Sequence, residues 1–165
     1  NDLANTIGNL LNRTSSMSRK WFDNRVPSNE MLSKDNTLEL YAKKTVENYF
    51  RHFNSYELDL AANVILSLAI NTNLYLNEKQ PWTLIKDEKN IPLVSNIIYN
   101  VLESTRIVGL LLLPILPNLS SKIDQQLGLL YNEKESWKKQ LDWGKLIHES
   151  ILPAPNPVIE KLEYE

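Results

Sequence analysis

An asparagine and an arginine one helical turn apart, Asn9 and Arg13, are the first residues of this 165-residue chain whose types and spacing suit chemistry. They belong to a polar stripe of Asn5, Asn9, Arg13, Ser16 and Lys20, spaced three and four apart, on one face of a helix. A side-chain amide reads a base edge through its paired donor and acceptor. An arginine one turn on hydrogen-bonds a base or a phosphate and stacks on a ring. The pair suits RNA. A stripe that merely solubilises a surface face is the other reading, although asparagine inside a helix costs up to about 0.7 kcal/mol against alanine.

A second constellation runs from Asn73 through Tyr75 to Pro81 and Trp82, where a helix ends and an aromatic follows a proline. A tryptophan on a rigid turn offers its face to an unpaired base, and such stacking is worth about 1–3 kcal/mol. Core packing is the commoner role of tryptophan, so this reading also stays open here.

Other chemistries are excluded or unsupported. The chain has no cysteine, which rules out disulfides, thiolate zinc sites and thiol nucleophiles. Its two histidines, His52 and His148, are too far apart in sequence for a local metal motif and read as ordinary surface or boundary residues. No Gly-rich phosphate loop or convergent catalytic cluster is present, so no catalytic residue, metal or cofactor is expected in this chain. Residues 1–53 carry eight Lys and Arg against six Asp and Glu, while the remainder carries ten against fourteen. A protein that coats duplex non-specifically is far more basic, so any RNA binding rests on a few shaped contacts to a small target.

The elements that must position these residues are helical. Apolar residues make up 42% and charged residues 23% of the chain, as in a folded domain with a single core. Leu3, Ile7, Leu10, Thr14, Met17 and Trp21 predict a first helix, and a loop with a short ordered turn follows from Asp23 to Asn36. Thr37 is the expected cap of a second helix running to Asn54, and Ser55 that of a third, which ends near Asn77 before Pro81. Val94, Ile98, Val101, Thr105, Val108 and Leu112 form one stripe of a fourth helix, stopped by Pro114 and Pro117. Asn118 opens a short fifth, with Gly128 as its left-handed stop.

The expected fold is therefore an all-α bundle of about five helices over residues 1–152, with a Pro-rich extended arm over 153–165. Val158, Ile159 and Leu162 are the expected anchors of the arm. The most apolar run, Ile107 to Leu116, is broken by Gly109 and Pro114 and is shorter than the roughly 20 residues of a membrane span. Residues 1–12 lack an initiator Met, a basic leader and a cleavage site and already carry helical pattern, as expected of a segment excised from something longer.

Several landmarks occur together and in order. They are Asp2-Leu3, Gly8-Asn9-Leu10-Leu11-Asn12-Arg13, Asn73-x-Tyr75, Glu78, Pro81-Trp82 and Lys86. Glu103, Arg106-Ile107, Leu110 to Leu113, Gln126-Leu127-Gly128 and Trp143-Gly144 follow them. Over nearly the whole chain this pattern resembles the anticodon-binding domain of methionyl-tRNA synthetases. The isoleucine, valine and leucine enzymes share that bundle, but their Asp-x-Trp-Ile-Leu-Ser-Arg opening is absent.

The resemblance implies that Asn9, Arg13 and Trp82 meet the anticodon, chiefly the first base of CAU, with Asn73, Tyr75 and Pro81 in support. It implies tRNA(Met) as partner and a catalytic domain elsewhere in the same chain, using ATP with Mg. The HIGH and KMSKS motifs of that catalytic domain do not occur here, so no ligase activity is expected of this segment alone. Methionine binding and zinc belong to other parts of such enzymes. The implied setting is the cytoplasm, and an organellar form would share the motifs. A helical scaffold or protein-docking bundle without RNA binding is the competing function.

Overall fold

Every residue from 96 to 112 is buried, because the helix that carries them, α5 (Ile91–Leu112), runs through the middle of the molecule. A helix buried on every face must be surrounded, and this one is packed by α1 (Asp2–Phe22), α2 (Thr37–Asn54), α3 (Leu58–Lys79) and α6 (Pro117–Leu127). The computed structural model describes residues 2–28, 35–128 and 131–153. Two single turns, α4 (Pro81–Leu84) and α7 (Trp137–Gln140), and a 3-10 turn at Glu88–Asn90 complete the helices among the described residues. An isolated bridge pairs Arg25 with Ile151. The all-α architecture of five principal helices is as expected, but the single apolar stripe expected of α5 is in fact burial on every face.

Polar groups inside α5 are satisfied in place. The Thr105 hydroxyl donates to the Val101 carbonyl at 2.7 Å, and the Thr72 and Ser104 hydroxyls pair at 2.7 Å where α3 meets α5. Gly109 lets α6 approach closely, since a Cβ there would sit 2.8 Å from Ile123 Cγ2. The Ser120 hydroxyl donates to the Gly109 carbonyl across the same contact.

Three helix starts differ from the sequence expectation. Thr37 lies inside α2, and the Asp35 carboxylate upstream accepts from both its amide, at 3.0 Å, and its hydroxyl, at 2.6 Å. Ser55 closes α2 rather than opening α3, which follows Glu57. Helix α6 begins at Pro117, one residue before Asn118; proline at the first helical position has no N–H to leave unsatisfied, and its fixed φ suits a helix start. Gly128 does adopt the left-handed stop, at φ 101°.

The segment after Gly128 folds back onto the bundle. Trp137 packs against Tyr49, Phe50 and Phe53, with ring centroids 5.3–6.2 Å away, and its indole N–H donates to the Leu110 carbonyl at 2.8 Å. Glu103, fully buried on α5, accepts from the Arg106 guanidinium and from the backbone amides of Gly144, Lys145 and Leu146. Arg106 also donates to the Gln140 and Asp142 carbonyls. Backbone bonds between Val26 and Ser150, Glu149 and Val26, and Leu152 and Asn24 tie this segment to the end of α1. The left-handed conformations of Asp23 and Asn24 make the turn that allows it. The arm expected from Pro153, with its anchors Val158, Ile159 and Leu162, lies outside the described residues beyond Pro153 itself. No helix among the described residues is long and apolar enough to cross a membrane.

Candidate nucleic-acid interface

Helix α1 buries Ile7, Leu10, Leu11 and Thr14 and leaves Asn9 exposed and Arg13 half-buried at its edge. The 3.6-residue period that sends the apolar stripe inward sends this pair outward. On α3, Ala61, Ile65, Leu68, Ala69, Thr72, Tyr75 and Leu76 are buried, while Asn73 and Asn77, one turn apart, reach towards α1. Arg13 Nη2 donates to Asn77 Oδ1 at 2.9 Å, and Nη1 reaches Asn73 Oδ1 at 3.5 Å, a long and weaker contact.

Trp82 completes the group. At the end of α3, Gln80 takes the left-handed conformation (φ 48°, ψ 58°), donates its amide to the Leu76 carbonyl, and reverses the chain. Pro81 is buried at the first position of α4, where its missing N–H costs nothing. The reversal carries the Trp82 ring to Arg13, whose guanidinium carbon lies 5.6 Å from the ring centroid, within cation–π range. Trp82 remains 39% exposed, whereas Trp21, Trp137 and Trp143 are half-buried.

Tyr75 and its neighbours brace this exit. Tyr75 is buried, and its hydroxyl accepts from Asn100 Nδ2 at 3.3 Å. Burial, with the nearby Asp35 carboxylate, holds its phenol well above the ordinary range, so it stays neutral. Lys79 lies 5.6 Å from the Tyr75 ring centroid and pairs with Asp35 at 3.1 Å. Burial works to raise the Asp35 pKa, but the Thr37 hydroxyl and amide and the Lys79 ammonium outweigh it and hold the carboxyl at about 2.

The structure thus gathers Arg13, Asn73 and Trp82 into one grip. Asn9 stands one turn before Arg13 on the same helix, with no hydrogen-bond partner among the described residues. Tyr75 and Pro81 lie beneath as packing. Asn77 was not singled out from sequence, although its place four residues after Asn73 was the available signal. Nothing in the sequence marked Gln80 as left-handed.

Both acceptors on Arg13 are neutral amides, so its charge is not cancelled and donors remain for a ligand. A flat cation beside a half-exposed indole, with a free amide one turn away, suits an unpaired base and its phosphate. No cluster of His, Asp or Glu able to hold a metal occurs among the described residues.

Known proteins share this fold. The chain superposes on free Mycobacterium tuberculosis methionyl-tRNA synthetase with a TM-score of 0.87 at 28% identity, covering 100% of this chain and 33% of that one. The same enzyme with methionyl-adenylate gives 0.85 at 31% identity, over 96% and 31%. These matches define an all-helical module of the aminoacyl-tRNA synthetase class.

The family model for the anticodon binding domain of methionyl tRNA ligase matches residues 26–164. The chain is 35% identical to a methionine–tRNA ligase of Nostoc sp. over 98% of its own length and 32% of that protein's. With the Bacillus subtilis ligase the identity is 33%, over 99% and 25%. The chain belongs to the family of methionyl-tRNA ligase anticodon-binding domains, and it spans about a quarter to a third of the curated relatives it matches.

Proposed function

We propose that this anticodon-binding domain selects tRNA(Met) by gripping the unstacked anticodon CAU between Asn9, Arg13 and Trp82. The observation that carries the reading is the meeting of Arg13 and Trp82, at 5.6 Å, on a surface where the indole stays accessible. The cytosine stacks on Trp82, while Asn9 and Arg13 hydrogen-bond its edge and the adjoining phosphate. Asn73 and Asn77 fix the direction of the guanidinium before RNA arrives, which lowers the ordering cost of binding. A wrong first base leaves these polar groups unpaired, at about 1–3 kcal/mol each.

In the same proposal, the domain works within a methionine–tRNA ligase, where holding the loop orients the acceptor end towards a catalytic domain that uses ATP with Mg. Support comes from the relatives' name and from the methionyl-adenylate found in a similar enzyme. Such an enzyme acts in the cytoplasm, and an organellar form would use the same contacts.

The test is fluorescence anisotropy of a CAU stem-loop and of one altered at the cytosine, at two salt concentrations. Preference for CAU that Trp82→Ala abolishes without unfolding the helices supports the reading. Equal affinity for both loops at each salt concentration sinks it.

A further inference from the structure

A row of apolar side chains on α3 faces water beside this grip. Leu66, Ile70 and Leu74 follow at four-residue intervals, and Ile70 and Leu74 are 43% and 52% exposed. That spacing lines them up along the helix, and Asn77, which accepts from Arg13, lies three residues beyond Leu74. Row and grip therefore share a face. Single exposed aliphatics need no explanation, but two in succession, in register with the residues that hold Arg13, make a continuous apolar strip.

The flanks of the strip are polar. On one side is the Arg13 guanidinium. On the other, the Ser67 hydroxyl and the Asn71 amide hydrogen-bond the Tyr41 hydroxyl, at 3.1 and 2.8 Å. Lys44 lines the adjoining groove between α2 and α3, with its ammonium unpaired among the described residues. An apolar strip beside the Arg13 guanidinium is complementary to a nucleic-acid strand, whose bases are apolar in their faces and whose phosphates are anionic.

Resting on the anticodon reading above, we propose that Ile70 and Leu74 form a second shelf, on which one further unpaired base of the same loop lies flat. It is a strand neighbour of the base on Trp82. Aliphatic side chains offer a base its dry face without reading its edge, so the shelf adds affinity with little sequence preference. The selective contacts stay with Asn9, Arg13 and Trp82.

The experiment measures the 165-residue chain and its Ile70→Ser/Leu74→Ser variant against the CAU stem-loop by anisotropy, with Trp82→Ala alongside. Each loop nucleotide is also made abasic in turn. Both substitutions are at exposed positions, and thermal melting followed by circular dichroism checks that the helices persist. The expected result is a loss of roughly tenfold in affinity for the intact loop. One abasic loop, different from the one that silences Trp82→Ala, then binds the parent chain and the variant equally.

Undiminished binding by the variant, while Trp82→Ala still loses affinity, overturns the shelf and leaves the grip standing. A loss of the same size for every abasic loop also overturns it, because no single base is then coupled to the row. If the parent chain binds no loop, or Trp82→Ala costs nothing, grip and shelf fall together.

Discussion

The Arg13 guanidinium and the Trp82 indole lie 5.6 Å apart, although one belongs to α1 and the other to the turn after α3. The cation is aimed by Asn77 and flanked by the ring, so the surface proposed for recognition is held in place by the chain's own contacts. The following expectations depend on that arrangement and on the packing beneath it.

Arg13→Ala is expected to weaken binding of the CAU stem-loop by about 1–3 kcal/mol, and Arg13→Lys to restore little of it. The planar fork reaches two amide oxygens and the ring together, which a single ammonium cannot do. Anisotropy titrations at one fixed salt concentration decide it; full recovery with lysine would mean that only charge matters.

Asn77→Ala separates folding from recognition. The lost hydrogen bond is exposed, so unfolding by urea is expected to change by less than about 0.5 kcal/mol. Loop affinity is expected to fall severalfold, because the guanidinium is no longer held in one direction. Unchanged affinity would show that Asn73 alone suffices.

Gly109→Ala is expected to destabilise the chain by about 1–3 kcal/mol. Its new methyl would meet Ile123 Cγ2 at 2.8 Å, and that clash outweighs the gain of about 1 kcal/mol that alanine offers inside a helix. Combining it with Ile123→Ala should cost less than the two changes summed. Additive denaturation energies would refute the contact.

Glu103→Gln leaves Arg106 buried opposite a neutral group and weakens the hold on three backbone amides. A loss of about 3–5 kcal/mol is expected, as for removing one partner of a buried pair. Amides of residues 144–146 should lose protection in hydrogen exchange before those of α3. Uniform loss across all helices would argue against a local latch.

Acid sensitivity follows from Asp35. Its carboxyl titrates at about 2 when folded against an ordinary 3.8, so the unfolded chain binds more protons between those values. The stabilisation from Lys79 and Thr37 is present above the ordinary value and fades as pH falls through about 2. Urea unfolding at pH 5 and at pH 2 should therefore show a steeper loss for the parent chain than for Asp35→Asn. Parallel losses would place the acid sensitivity elsewhere.

Local pattern made much of this legible in advance. The stripe through Ile7, Leu10 and Thr14 placed α1 and turned Asn9 and Arg13 outward, because the 3.6-residue period is a property of the helix itself. Gly128 announced its left-handed stop, since glycine alone carries no Cβ penalty there. Thr37, Ser55 and Asn118 misled because hydroxyl and amide caps are one of several ways to satisfy a helix end, and a carboxylate or a proline served instead.

The sequence by itself determined the helical class, the principal helices, the residues suited to RNA and the resemblance to one family of synthetase domains. The tertiary structure alone decided that Arg13 is held by Asn77 and lies beside Trp82, and that Glu103 gathers the amides of Gly144, Lys145 and Leu146. The reason is physical. Periodicity and turn chemistry act over a few residues and are written in order along the chain. Contacts between distant segments depend on how whole helices pack around α5, and on a single left-handed residue, Gln80, that sets where Trp82 points.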